Sequence, residues 1–216
     1  MRRLLSVLLY AMAIFASFAA TQASAANKNV ACHGEDLQKA IENATEGDIL
    51  YLEPHCDYVI EKSAQNYLWD RKTFDKRALK TITTKLTIEG NGATIKPMGR
   101  NRVSQTICDA LSYSGGCLKS IEVGQAVGDD MGIFLVLEGN LTLKNLTLSN
   151  GRSLRGGAIY QNGGNVSLES VTITDSEAYG ETYYDALSRT NAIGGLGGAI
   201  LQTGGNLSLS DSKKLN

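Results

Sequence analysis

Apolar residues alternate with polar ones in short runs along most of this chain, and the alternation breaks at regular places. In one stretch Leu141 and Leu143 flank Thr142, and then Leu146 and Leu148 flank Thr147. In another, Val166 and Leu168 are followed by Val171 and Ile173. A period of two within each pair predicts a strand, and the three-residue step between pairs predicts a corner where the phase slips. A helix would need apolar positions three or four apart throughout, and the β-branched residues weigh against it.

The pattern recurs. MGIFLVLEGNLTL from Met131, GGAIYQNGGNVSL from Gly156 and GGAILQTGGNLSL from Gly197 align without a gap, with starts 25 and then 41 residues apart. The longer interval holds an insert around residues 178–193 that carries Tyr179, Tyr183 and Tyr184. Lys85 to Ile95 has the same strand, turn and strand appearance. Repeats of this period with Gly-rich turns predict stacked coils, each burying its apolar positions against the next.

Each copy places Asn at one point, Asn140, Asn165 and Asn206, which predicts an amide ladder running up the stack. The same residues, with Asn145, also begin glycosylation acceptor triplets, and recurrence in register favours the ladder. Ahead of the coils, Leu37, Ala40, Ile41 and Ala44 fall on one helical face, a helix predicted to end near Gly47-Asp48 and to cap the first coil. A partner-binding helix is the alternative. Ile49 to Leu52 reads as the first strand. The predicted fold is all-β, a right-handed parallel β-helix with an N-terminal amphipathic capping helix.

The first 25 residues differ in kind. Met1-Arg2-Arg3, an apolar run to Ala20, and small residues at Ala23 and Ala25 have the order of a secretory signal peptide. Residues 26–216 would then form a single domain, secreted or at the cell surface or outer membrane, with no transmembrane segment. Loss of Arg2 and Arg3 moves the net charge from -1 to -3, which gives no footprint for nucleic acid. In an oxidising compartment Cys32, Cys56, Cys108 and Cys117 are expected to pair. Three pairings are open, and we favour the nearest neighbours, Cys32 with Cys56 and Cys108 with Cys117. His33 and His55 beside Cys32 and Cys56 raise a metal site as an alternative. Neighbouring residues of an extended segment point to opposite faces, and the short Cys spacing of zinc sites is absent.

The paired Gly156-Gly157-Ala158-Ile159 and Gly197-Gly198-Ala199-Ile200 resemble the GGA-[ILV] signature of the polymorphic outer-membrane protein repeat family. The companion F-x-x-N motif is absent, with Thr147 where Phe would precede Asn150. The resemblance covers most of residues 36–209 and implies a pectin-lyase-like parallel β-helix, a surface passenger used in adhesion. Its partner would be a host-surface protein or glycan, with no cofactor.

No catalytic, cofactor or metal residues are read from the chain. Outward strand positions carry Thr142, Thr147, Ser167 and Thr172, and Asp129-Asp130 is read as a solvated turn. A polysaccharide lyase would need carboxylates to hold calcium and a base within reach of the substrate proton. That enzyme, and a fragment without independent activity, are the alternatives to a binding protein. The tyrosine-bearing insert is the candidate ligand-binding loop, since insertions in stacked repeats become loops on one face. Offsets that give Leu146 and Leu148, or Val171 and Ile173, land on Ser212 and Lys214 in the last copy. The expectation is a reading frame that stops before its fold does.

Overall fold

A computed structural model describes residues 24–68, 74–98, 130–179, 181–184 and 190–215. Cys108 and Cys117, and residues 1–23 of the expected signal peptide, lie outside the described residues. The chain begins β1 (Asn27–Val30), α1 (Gly34–Glu42), β2 (Asp48–Leu52), β3 (Asp57–Ile60), β4 (Gln65–Leu68), β5 (Phe74–Arg77) and β6 (Lys85–Pro97). It continues with β7 (Phe134–Val136), β8 (Asn140–Ser149), β9 (Arg152–Ser153), β10 (Ile159–Thr174) and β11 (Glu177–Ala178). Then come β12 (Glu181–Tyr184), β13 (Thr190–Ile193), β14 (Ile200–Ser210) and β15 (Lys213–Leu215).

More than half of the described residues are strand, and the long strands pair in parallel. A first ladder runs from β1 through β2 and then residues 85–89 of β6, 140–144 of β8, 165–169 of β10 and 206–210 of β14, aligning Leu50, Ile88, Leu143, Leu168 and Leu209. A second joins β3 to the late halves of β6, β8 and β10 and then β15, aligning Tyr58, Ile95, Leu148, Ile173 and Lys214. A third aligns Phe134, Ile159 and Ile200, with Ile82 bridged to Val136. Apolar columns of the three ladders meet in one buried cluster, in which Leu50, Ile88, Leu143 and Ile95 have no exposure at all. Parallel pairing of this kind requires a crossover connection for every strand.

Corner residues explain the phase slip. Asn145 (φ 49°), Ser170 (φ 54°) and Asp211 (φ 49°) occupy one position in successive turns, between the first and second ladders. A single left-handed residue turns the chain there, a conformation for which Asn and Asp are enriched. The Gly156-Gly157 pair has its own reason. Gly156 is left-handed (φ 51°), and a side chain on Gly157 would strike backbone of Gly151 on one side and Glu177 on the other.

The amphipathic helix takes the predicted place with a shorter span. Leu37 and Ile41 are buried in the main cluster with Ala40 and Ala44 packed against it. The helix stops at Glu42, because Asn43 closes it with its side-chain amide on the Lys39 carbonyl (2.8 Å). Gln38 donates to the carbonyls of Lys62 and Ala78, both at 2.7 Å, which lays the helix across the second and third ladders of the first turn. Cys32, just before the helix, is disulfide-bonded to Cys56 at the following corner, with Cα atoms 5.8 Å apart. At the opposite end of the stack Leu207 is half-buried and Leu209 is 59% exposed. There Lys214 pairs with Ile173, and the Ser212 hydroxyl accepts the Val171 N–H at 3.0 Å.

Candidate functional site

Two of the three corners are tight throughout the stack. The first ladder passes to the second through residues 53–56, 90–92, 145, 170 or 211–212, and the third passes to the first through residues 83–84, 137–139, 162–164 or 203–205. Every long excursion leaves at the remaining corner, between the second and third ladders: residues 61–76, 98–130 and 175–197. Among the described residues one turn closes that corner briefly, through residues 150–156. The tyrosine-bearing insert is therefore one of three excursions that leave the second ladder and return to the third.

Two of the excursions contain hairpins, β4 with β5 and β12 with β13, both antiparallel and so distinct from the ladders. Tyr183 and Tyr184 lie on β12, opposite Asn191 and Thr190. Tyr179 stands at the root of the same excursion, half-buried, with its ring 5.2 Å from the Arg152 guanidinium carbon. The chain thus brings Tyr179 beside Arg152 of β9.

The roots of the excursions converge on the short connection. Arg77, at the end of the first, is fully buried and pairs with Asp75 at 2.7 Å. Its Nη1 donates to the carbonyls of Gly156 (3.0 Å) and Phe134 (3.2 Å), and its Nη2 to the Ser153 hydroxyl (3.0 Å) and the Arg155 carbonyl. Ser153 in turn donates to the other Asp75 oxygen. Burial pulls the Arg77 proton affinity down, and the Asp75 carboxylate opposes this. The Arg77 guanidinium also faces the Tyr160 ring at 5.7 Å. Tyr160, Leu135 and Leu154 are buried without belonging to the central cluster, so this ladder is covered outside as well as inside.

Arg152 does the equivalent for the other two excursions. Its Nε lies 3.1 Å from Glu177 and 3.8 Å from Asp130, the roots of the third and second. Backbone bonds follow the same lines: Arg152 N–H to the Met131 carbonyl (2.8 Å), Tyr179 N–H to Ser153 and Leu196 N–H to Leu154 (both 2.9 Å). Asp130, expected in a solvated turn, is instead only 9% exposed and faces Arg152. No sequence motif announces these partners, because Arg77 and Ser153 are 76 residues apart.

A serine, a carboxylate and an arginine in contact invite a catalytic reading. Ser153 is 2% exposed, its hydroxyl is committed to Asp75, and Asp75 is held by Arg77. A nucleophile needs a free base and access to substrate, and this one has neither. The cluster is an internal clamp.

The outer faces are polar. Thr142 aligns with Ser167, and Thr147 with Thr94 and Thr172, all half-buried between their neighbours. Beside them Lys144 lies between Glu169 (3.2 Å) and Glu89 (3.6 Å), and the Glu169 hydrogen bond raises its proton affinity. An open groove of about 830 Å³ runs beside the cap helix, lined by Gln38, Lys39, Glu61, Lys62 and Lys80 among others. Its charges are mixed and do not converge on a point. His33 precedes the helix and His55 sits against Gly92, while Cys32 and Cys56 are bonded to each other. Among the described residues no cluster of three His, Cys, Asp or Glu could hold a metal ion, and no helix is long and apolar enough to cross a membrane. No family model, curated protein or solved structure matches this chain.

Proposed function

We propose that this chain is an exported right-handed parallel β-helix that works as a surface-binding module, of the kind found in polymorphic outer-membrane and adhesin passengers. The reading as a β-helix is supported by three parallel ladders that each advance one strand per turn. Right-handedness is the hand taken by nearly all parallel crossovers. The binding reading is carried by one observation: the three longest excursions share a single corner, while the other corners are held to a few residues. Excursions from a rigid stack are where such scaffolds present contact residues.

The partner class is a host-surface protein or glycan. The test is direct binding of the purified mature chain to cultured cells and to arrays of matrix proteins and glycans. Saturable binding supports the reading, and its absence from every surface would remove it. The same preparation is expected to release no unsaturated product from uronic-acid polymers, with or without calcium. Calcium-dependent release would favour the polysaccharide lyase instead.

A further inference from the structure

We propose that Asn145 is a glycosylation acceptor, the one of four candidate asparagines at which the folded chain carries an N-linked oligosaccharide. The inference rests on the export reading above, since such sugars are transferred to chains that are crossing a membrane. Four triplets fit the acceptor pattern, beginning at Asn140, Asn145, Asn165 and Asn206. The structure separates them. Asn165 donates to Asn140 at 2.6 Å and accepts from Asn206 at 2.9 Å, so these three amides are bonded to one another from turn to turn. Asn145 stands outside that row, at the corner between the first and second ladders, with left-handed backbone (φ 49°). Its side chain is exposed and, among the described residues, has no hydrogen-bond partner.

The corner has room for the product. On the preceding turn it is made by Gly90, Asn91 and Gly92, and the Asn91 amide is folded back onto the Leu52 carbonyl at 2.9 Å. On the following turn it is Ser170 alone. A side chain on Gly90 would strike the Asn145 carbonyl and the Leu146 side chain, so the backbone here is tightly packed while the Asn145 side chain is not. Leu146 is buried and Thr147 half-buried on the second ladder, which gives the acceptor a fixed base. Transfer joins the Asn145 Nδ2 to the anomeric carbon of a lipid-diphosphate oligosaccharide. The bond from that carbon to the diphosphate oxygen breaks, the diphosphate leaves with the electron pair, and the displaced amide proton passes to a base of the transferase. The product is bulky and hydrated, and it suits an exposed corner. On Asn165 the same group would crowd two bonded amides, one turn away on either side at roughly 4.8 Å.

Peptide mapping by mass spectrometry of the mature chain, recovered from the cells that make it, tests this. Cleavage after Lys144 separates Asn140 from Asn145, so the added sugar mass is read on each asparagine. Sugar is expected on Asn145 and not on Asn140, Asn165 or Asn206. Thr147→Val, which removes the acceptor triplet and keeps Asn145, should lose the added mass while retaining the β-sheet signal and cooperative unfolding. An exported chain with bare Asn145, with sugar on the bonded row, or with sugar that survives Thr147→Val would overturn the proposal. The N-terminal sequence of the same preparation decides the export reading separately. A chain that begins at Ala26 has been exported and processed, so a bare Asn145 in it counts against the acceptor alone. A chain found only inside the cell, still carrying Met1, would remove the export reading and the acceptor with it.

Discussion

The side-chain amide of Asn165 donates to Oδ1 of Asn140 at 2.6 Å, one turn of the chain away. Its own Oδ1 accepts from Asn206 at 2.9 Å on the other side. The three amides form a continuous ladder on the outside of the stack, in register with the strands that carry them. Replacing the middle member removes two bonds and replacing an end member removes one. Each bond is worth roughly 0.5–1.5 kcal/mol net. Asn165→Ala should therefore destabilise the fold by about twice as much as Asn140→Ala, measured by urea denaturation of the two variants side by side. Equal losses would show that the ladder acts through something other than its hydrogen bonds.

This ladder was legible because it repeats. Asn140, Asn165 and Asn206 hold the same place in three aligned copies, and stacking in register follows from that alone. The offsets that reached Ser212 and Lys214 were legible for the same reason, and Lys214 does pair with Ile173. The insertion corner was half legible: one tyrosine-bearing insert was visible as a longer repeat interval. That residues 61–76 leave at the same corner could not be read, because no aligned copy precedes them. Arg77, Asp75, Ser153 and Arg152 left no trace, since their contacts join turns far apart in sequence without a repeated residue type.

Arg77 supplies the strongest stability prediction. Truncating it to Met leaves the buried Asp75 carboxylate without its cation, a change of the kind that costs about 3–5 kcal/mol. The double variant Asp75→Leu with Arg77→Met removes both charges and should recover most of that loss. Thermal or denaturant unfolding of the two variants and the wild type gives the comparison. A double variant as unstable as Arg77→Met would mean that the bonds from Arg77 to the Gly156, Phe134 and Arg155 carbonyls outweigh the ion pair.

Reduction of the Cys32–Cys56 bond should loosen the cap helix, because the pair ties the start of the helix to the first corner. A crosslink closing this loop contributes roughly 2–4 kcal/mol. In the native, unreduced protein neither cysteine should take up an alkylating agent. After mild reduction both should, with faster hydrogen exchange across Gly34–Glu42.

Asp48 makes stability depend on acid. Burial alone would raise its proton affinity, but the hydrogen bonds from Lys28, Thr45 and Ala26 outweigh this and hold the carboxyl well below its ordinary value of 3.8. In the unfolded chain it gains a proton near that ordinary value, while in the folded chain it does so only at much lower pH. The stabilisation is thus complete above about pH 4 and declines as the pH falls further. Asp48→Asn should cost about 1–3 kcal/mol at neutral pH, and the gap from wild type should narrow as the pH is lowered from 4 to 2. A gap independent of pH would show that the charge is irrelevant.

The most direct test of the account replaces residues 175–197 with a short connection copied from residues 150–156, the connection that the neighbouring turn uses at the same corner. Binding of this variant to cells is compared with that of wild type and of a face variant, Thr142→Lys with Thr147→Lys. The account predicts that the shortened chain keeps its β-sheet signal and cooperative unfolding but loses at least tenfold in binding, while the face variant binds as wild type does. Undiminished binding by the shortened chain, with loss in the face variant, would contradict it and move the contact surface to the hydroxyl-bearing strands.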